Sequence, residues 1–302
     1  MSAALLLPAL LLDAALGEPK WLWDRFPHPA VLMGRAVGIA EKRLNHGESR
    51  KQKGILAMVL LGLGAWILGA LIAAIPDFGL LEIIAAAILL AQKSLVQHVR
   101  AVADALRMSL PAGRRTVAMI VGRDTAGLDA PAISRAAIES AAENLSDGVI
   151  APAFWFLLLG LPGLMLYKIT NTADSMIGHR TPKYEQFGWA AARFDDLLNL
   201  VPARLTAALI AISHLQFDPA PILRDAPLHR SPNAGWPEAA MAVALNTALS
   251  GPRSYDGKMQ DFPWVWPTGT RTPGPAEIDA ACNALWRAWG LMLLVVAVVA
   301  SL

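Results

Sequence analysis

The chain reads as an all-α, polytopic integral membrane protein with about four to six membrane-embedded helices, one of them re-entrant, and a polar, loop-rich cytoplasmic region. Three observations predict this. Of its 302 residues, 55% are hydrophobic and only 17% charged, where soluble domains carry about a quarter charged. Apolar runs recur along the chain, and a helix needs about 20 such residues to cross a hydrocarbon core of roughly 30 Å. Several of the ten tryptophans stand at the ends of those runs, as an interfacial belt would. No linker or charge block divides the sequence, so residues 1–302 read as one membrane-embedded domain. The net charge of +2 gives no case for nucleic acid. The single cysteine, Cys282, excludes an intramolecular disulfide and a four-cysteine zinc site. It reads as a small buried apolar residue.

The N-terminal run Ala3–Leu16 lacks a basic leader, is interrupted by Asp13 and is followed by no small-residue cleavage site, so it reads as a retained helix slightly short of a span. The clearest span is Gly54–Ile75, followed by a turn at Pro76-Asp77-Phe78-Gly79 and a returning span, Leu80–Val96. Lys42, Arg43, Arg50, Lys51 and Lys53 precede this pair, and Arg100, Arg107, Arg114 and Arg115 follow it. Lys/Arg excess marks the cytoplasmic side, which puts both ends of the pair there. Further apolar segments run over Ala151–Ile169, Leu197–Leu215 (with Pro202 and Arg204 near its start) and the short Ala288–Leu302. Residues 216–286 are rich in Pro, Gly and Trp and predict an irregular extramembrane region with one helix near Glu238–Leu249.

Four polar constellations stand beside these segments. Arg123-Asp124-Thr125 precedes a helix in which Arg135, Glu139, Glu143 and Asp147 recur every four residues, on one face, with Asn144 beside them. A solvated salt-bridge stripe would read the same way, but the opposite positions are Ala and Ile and a membrane segment begins directly after Gly148. Asn171, Thr172, Asp174 and Ser175 follow an apolar segment; capping explains one of them and not the set. Arg193, Asp195, Asp196 and Asn199, with Arg204 beyond, pair two carboxylates with an amide, a set able to hold Mg²⁺; the plain alternative is an acidic helix start. His229, Ser231, Asn233 and Glu238 sit in a turn whose amides could receive an anion before a helix opens at Pro237. His28, between two prolines, reads as an interfacial turn.

The first two constellations flank Ala151–Ile169 on both sides, and a single crossing would put them in opposite compartments. Gly160-Leu161-Pro162-Gly163 offers two half-helices in a re-entrant hairpin, tolerated where it is buried in protein.

At these motifs the chain resembles the CobD/CbiB family of cobalamin biosynthesis, the adenosylcobinamide(-phosphate) synthases. The matching stretches are Asp13 to Pro19 with Phe26 to Pro29, Val121 to Thr125, Glu139 to Gly148, Asn171 to Gly178, Ala192 to Asn199, Pro202 to Thr206 and Ser231 to Met241. They lie in register over nearly the whole chain. Departures are Ala173, His179 and Val243, none of which removes a polar site residue.

The resemblance implies a multi-pass enzyme of the inner cell membrane with its active face cytoplasmic. It would join (R)-1-aminopropan-2-ol, or its O-phosphate, to the free propionate carboxylate of adenosylcobyric acid through an amide. It implies ATP and Mg²⁺, although no GxxxxGK[ST] loop is present. Its partners would be the corrinoid and amine substrates and the lipid bilayer, with other enzymes of the pathway or a second copy of the chain as docking partners. The implied catalytic residues are Arg123, Asp124, Glu139, Glu143 and Asp147, with Glu139, Glu143 or Asp147 receiving the amine's proton. Substrate contacts fall to Asn144, Asn171, Thr172, Ser175, Arg193, Arg204, His229, Ser231, Asn233 and Glu238, and the metal to Asp174, Asp195, Asp196 and Asn199. A transporter and a non-catalytic sensor like the distantly similar AmpE proteins are the alternatives; motif density in loops rather than within spans argues against transport.

Overall fold

A computed structural model describes residues 2–255 and 257–302. In chain order the elements are α1 Ser2–Leu16, α2 Lys20–Trp23, α3 Pro29–Leu44, α4 Arg50–Ala73, α5 Leu80–Leu89, α6 Gln92–Met108, α7 Leu110–Val117 and α8 Ala130–Leu145. A π-turn, Ser146–Ile150, leads into α9 Ala151–Ile177, α10 Trp189–Leu198, α11 Leu200–Ser213 and α12 Ala220–Asp225. After the 3-10 turn Ala226–Leu228 come α13 Gly235–Ala244, the short strands β1 Leu249–Ser250, β2 Arg253–Tyr255, β3 Lys258–Gln260 and β4 Trp264–Val265, and α14 Pro275–Ser301. Four helical stretches among the described residues are long and apolar enough to cross a membrane, or five if α10 and α11 count as one broken span.

Where the sequence shows no linker, the fold gathers the chain into two compact units, 1–91 with 147–200 and 296–302, and 92–146 with 201–295. Each draws on separated stretches, so no composition shift marks a border.

The first unit is built around α9, which packs against α1, α3, α4, α5 and α10. Gly160 interrupts α9 with φ 65° and ψ −158°, a backbone conformation in effect restricted to glycine. A straight helix would separate Asp147 from Asn171 by about 36 Å. Instead Asn171 Nδ2 lies 3.5 Å from Asp147 Oδ2, at the outer limit of hydrogen bonding, and the Tyr167 hydroxyl donates to the Asp147 carbonyl at 3.1 Å. The segment therefore goes out and comes back, and the limb 151–159 rises only about 14 Å. The hairpin expected from Gly160 to Gly163 is present. Its tip is received by α4, where a Cβ added at Gly69 would stand 2.7 Å from Pro162 Cα. Gly54 and Gly62 fall on the same buried face of α4, small residues that let backbones approach as they do between membrane helices. Ala151, Tyr167 and Leu198 form the core beneath, with Trp155 and Phe194 packed on it.

The second unit stacks α6, α7 and α8, with α13 and β1 against α8. Asp129 caps α8, its Oδ1 accepting the Ala132 N–H at 2.8 Å. Cys282 is fully buried on α14, as expected.

Several boundaries differ from the sequence reading. The stretch expected as irregular also contains α12 and two antiparallel strand pairs, β1 with β4 and β2 with β3, too short to leave an alternating pattern. The helix expected near Glu238–Leu249 ends at Ala244, because Asn246 (φ 48°) and the β1 pairing redirect the chain. The last helix begins at Pro275 and not near Ala288: its first turns carry Glu277, Asp279 and Arg287, which hide it from hydropathy. The returning span lies within one apolar stretch, Leu80–Met108, interrupted at Leu90, whose ψ of 157° is extended, between α5 and α6.

Candidate functional site

Polar chemistry collects at two places, one in each unit. In the first, the α9 hairpin and α10 carry it. Asp195 is buried, and its hydrogen bonds come from neutral amides: Asn199 Nδ2 donates to Oδ2 at 2.9 Å and Asn171 Nδ2 to Oδ1 at 3.3 Å. The hydroxyl of Tyr167, fully buried, lies 3.0 Å from Asn199 Oδ1 and shares its one proton between that oxygen and the Asp147 carbonyl. The sequence spacing produces this directly: Asp195 and Asn199 are one helical turn apart. The hairpin supplies Asp147 from its entry and Asn171 and Asp174 from its exit. Asp174 lies within electrostatic reach of Asp195 and Asp196. Arg193 meets Asp196 at 3.4 Å on the exposed side, and half-buried Lys168 lies within electrostatic reach of Asp147 and Glu18.

Asp147, Asn171, Asp174, Asp195, Asp196 and Asn199 thus lie in one region, Asp147 apart from the Glu139 and Glu143 with which its spacing had grouped it. Thr172 is half-buried beside them, and Ser175 is exposed, its carbonyl facing His179 Nε2 at 2.9 Å. Among the described residues no three of His, Cys, Asp or Glu converge tightly enough to hold a metal ion. Mg²⁺ needs only one or two carboxylates and keeps waters. The carboxylates fit that hard-oxygen chemistry, while Asn171 and Asn199 turn their Nδ2 groups to Asp195.

The second site centres on Glu139, which is 5% exposed. Its Oε1 accepts the Ser250 N–H at 2.7 Å; its Oε2 is shared by Arg253 Nη1 at 3.1 Å and by the Arg123 guanidinium. Both oxygens of this carboxylate, which the sequence reading gave as one of three acceptors for the amine's proton, are engaged, and it ties two arginines together. Asp124 works at one remove. Its Oδ2 accepts from Ser254 Oγ at 2.7 Å and from the Gly257 N–H at 2.8 Å, pinning the β2–β3 hairpin that presents Arg253. Arg253 also donates to Ser250 Oγ at 3.0 Å and stacks on Phe262.

Around this tie lies a polar cavity of about 230 Å³, whose wall includes Arg123, Glu143, Asn144, His229, Glu238 and Arg253. His229 Nδ1 accepts the Ser231 N–H at 3.0 Å, which leaves the ring proton on Nε2, 3.7 Å from Glu238 Oε2. Burial, and then the charge of Arg253, hold the His229 pKa below its ordinary value. Burial, with the Glu139 carboxylate beside it, pushes Glu238 up to about 8.

The Ser231–Gly235 turn departs from expectation. The amides of Asn233 and Ala234 turn inward to Ser231 Oγ, each at 3.2 Å, rather than standing free for an anion. Arg204 is held to the same turn, donating to Asn233 Oδ1 at 2.9 Å and the Pro232 carbonyl at 3.2 Å while lying over Trp236. The four-residue stripe is divided too: the π-turn at Ser146 breaks its spacing, so Asp147 belongs to the first unit and Glu139 and Glu143 to the second. Arg253 and Ser250 were missed by sequence reasoning. The Asp256-Gly257 pair, a hairpin signal, is what could have singled out the stretch.

The family model described as CobD/Cbib protein matches residues 6–285. The chain belongs to the CobD/CbiB family. Its relatives within that family include a cobalamin biosynthesis protein CobD from a Sinorhizobium species, 50% identical with 94% of each chain covered. The CobD protein of Rhizobium meliloti strain 1021 is 49% identical over 97% of this chain and 96% of its own. That of Rhodobacter capsulatus is 45% identical over 99% and 98%. No solved structure matches this CobD/CbiB chain.

Proposed function

We propose that this protein acts in cobalamin biosynthesis as an amide-forming ligase, joining (R)-1-aminopropan-2-ol or its O-phosphate to the free propionate carboxylate of adenosylcobyric acid at the cost of ATP. The reading is supported by family membership and above all by one observation: a buried carboxylate, Asp195, whose side-chain hydrogen bonds among the described residues come from neutral amides. Such a carboxylate keeps its charge available to a cation, which is what a phosphoryl-transfer site needs. Amide formation from a free carboxylate in water is uphill, so the carboxylate must first be activated, an acyl phosphate being the expected form.

Asp195 and Asp196, with Asn199 and Asp174, would hold Mg²⁺, which supplies charge neutralisation for the transferring phosphoryl group. Arg193, half-exposed at the rim of this cluster, is placed to meet a phosphate or the corrin propionate. Tyr167 keeps Asn199 oriented, and the hairpin core around Ala151 excludes water below. The basic flanks of α4–α6 support an active face on the cytoplasmic side of the inner membrane.

The test is direct. Detergent-solubilised protein with ATP, Mg²⁺, cobyric acid and aminopropanol should yield the amide, read by mass spectrometry. Corrinoid uptake by proteoliposomes with no amide formed would replace the ligase by a transporter.

A further inference from the structure

The cavity of the second unit encloses about 230 Å³, below the roughly 300–1,000 Å³ of sites for drug-sized ligands. A corrin ring does not fit, nor does a whole nucleotide. Two buried polar atoms of its lining residues have no hydrogen-bond partner: Glu238 Oε1, an acceptor, and Arg253 Nε, a donor. Folded interiors seldom leave such atoms unpaired, and each calls for a group that completes it. Orphans of opposite kind on residues that line one small cavity call for a short ligand with a donor at one end and an acceptor at the other. Charge narrows the choice. Arg123, Arg253, Glu139 and Glu143 sum to zero, and His229 is held toward its neutral form. Glu238 adds a negative charge only on ionising, and a cation arriving beside it restores neutrality.

We propose that this cavity binds a short primary amine bearing an oxygen, free or phosphorylated, on the neighbouring carbon, its ammonium on Glu238 Oε1 and its oxygen on Arg253 Nε, and that Glu238 accepts the proton the amine must lose before attack. This rests on the ligase reading above and assigns its amine subsite. The step balances: ammonium and carboxylate become amine and carboxylic acid, the freed nitrogen lone pair forms the C–N bond as the C–O bond of the acyl phosphate breaks, and phosphate leaves with that electron pair and takes up the second proton lost from nitrogen. Glu139, with every oxygen engaged, is a positioning residue. The charged groups facing Glu238 are Glu139 and Glu143 from α8, Arg123 from the segment before it, Arg253 from β2 and His229 from the turn ahead of α13. Burial with Glu139 alongside brings the proton affinity of Glu238 closer to that of an alkylamine, which makes the transfer less uphill.

Calorimetric titration of the purified full-length protein at pH 7, in buffers of different ionisation enthalpy, tests this with 1-aminopropan-2-ol, its O-phosphate and propane-1,2-diol. At least one of the two amines should bind with release of about one proton, as the incoming ammonium ionises Glu238. E238Q should abolish that release, and the diol should bind at least tenfold more weakly. Neither amine binding, or the same proton release from E238Q, overturns the proposal. Amide formation is followed on the same preparations, with E238Q expected about 100-fold slower and E238D restoring part of the rate with a displaced pH profile. A wild type that binds amine in this way but forms no amide sinks the ligase reading and leaves the cavity assignment standing. Turnover by E238Q equal to wild type across pH does the reverse.

Discussion

Asp195 in the first unit and Glu139 in the second are both buried carboxylates, and their surroundings differ in kind. Asp195 is surrounded by amides, donors that stabilise it without cancelling its charge. Glu139 is surrounded by two guanidiniums and a backbone N–H, which more than offset its charge. Burying a charge is costly unless it is paired. The first site meets that cost only in part and stays receptive to a cation. The second meets it in full and becomes a rigid frame, and the unfinished chemistry there passes to Glu238. Burial alone therefore does not identify a working carboxylate; what the neighbouring donors leave uncompensated does.

The contrast is broken most severely at Asp195. D195N should lower amide formation by at least roughly 100-fold while the protein remains in membranes at normal levels. Normal turnover would remove Asp195 from the cation site. Glu139→Ala should act on stability instead: two buried guanidiniums lose their shared partner, at about 3–5 kcal/mol. A fall in Tm in detergent well beyond that of D195N would sharpen the division between frame and site.

Gly160→Ala should cost about 1–3 kcal/mol through its forbidden backbone conformation and loosen the approach of Asp147 to Asn171. The hairpin itself is tested by labelling single cysteines placed at Asp147 and Ser175, with Cys282 replaced: both should react from one side of the membrane, and opposite sides would refute the turn-back.

The smallest effect is a pH slope. An unfolded glutamate titrates near 4.5, so between there and about 8 the native state holds a proton on Glu238 that the unfolded chain has lost. Stability should therefore fall as pH rises through that window. His229, depressed by burial and Arg253, opposes this below about 6.5, where the unfolded ring takes up a proton first. Tm measured from pH 6 to 8 should be flatter in E238Q, and the variant more stable than wild type at pH 8.

The first site was legible in the sequence because its parts are local: Asp195 and Asn199 lie one turn apart, and Gly160 with Pro162 and Gly163 announced the reversal that closes Asp147 onto Asn171. The second was only half legible. Glu139 and Arg123 were visible as motif residues, yet their partner Arg253 arrives through two three-residue strands and an Asp124 tether, contacts 114 and 130 residues apart in sequence that no helical or strand period encodes. The Ser231 turn misled for a related reason: its composition fits an anion cradle and a self-capped turn equally, and only the inward direction of two amides separates them.

The turn-back at Gly160 also has a bearing on bookkeeping of compartments. A hydropathy count scores Ala151–Ile177 as one more passage through the bilayer, whereas a segment whose two ends meet contributes none. Parity is what assigns the inside and the outside to everything downstream, so one left-handed glycine decides on which side of the cell boundary α10 and the aspartates it carries are read.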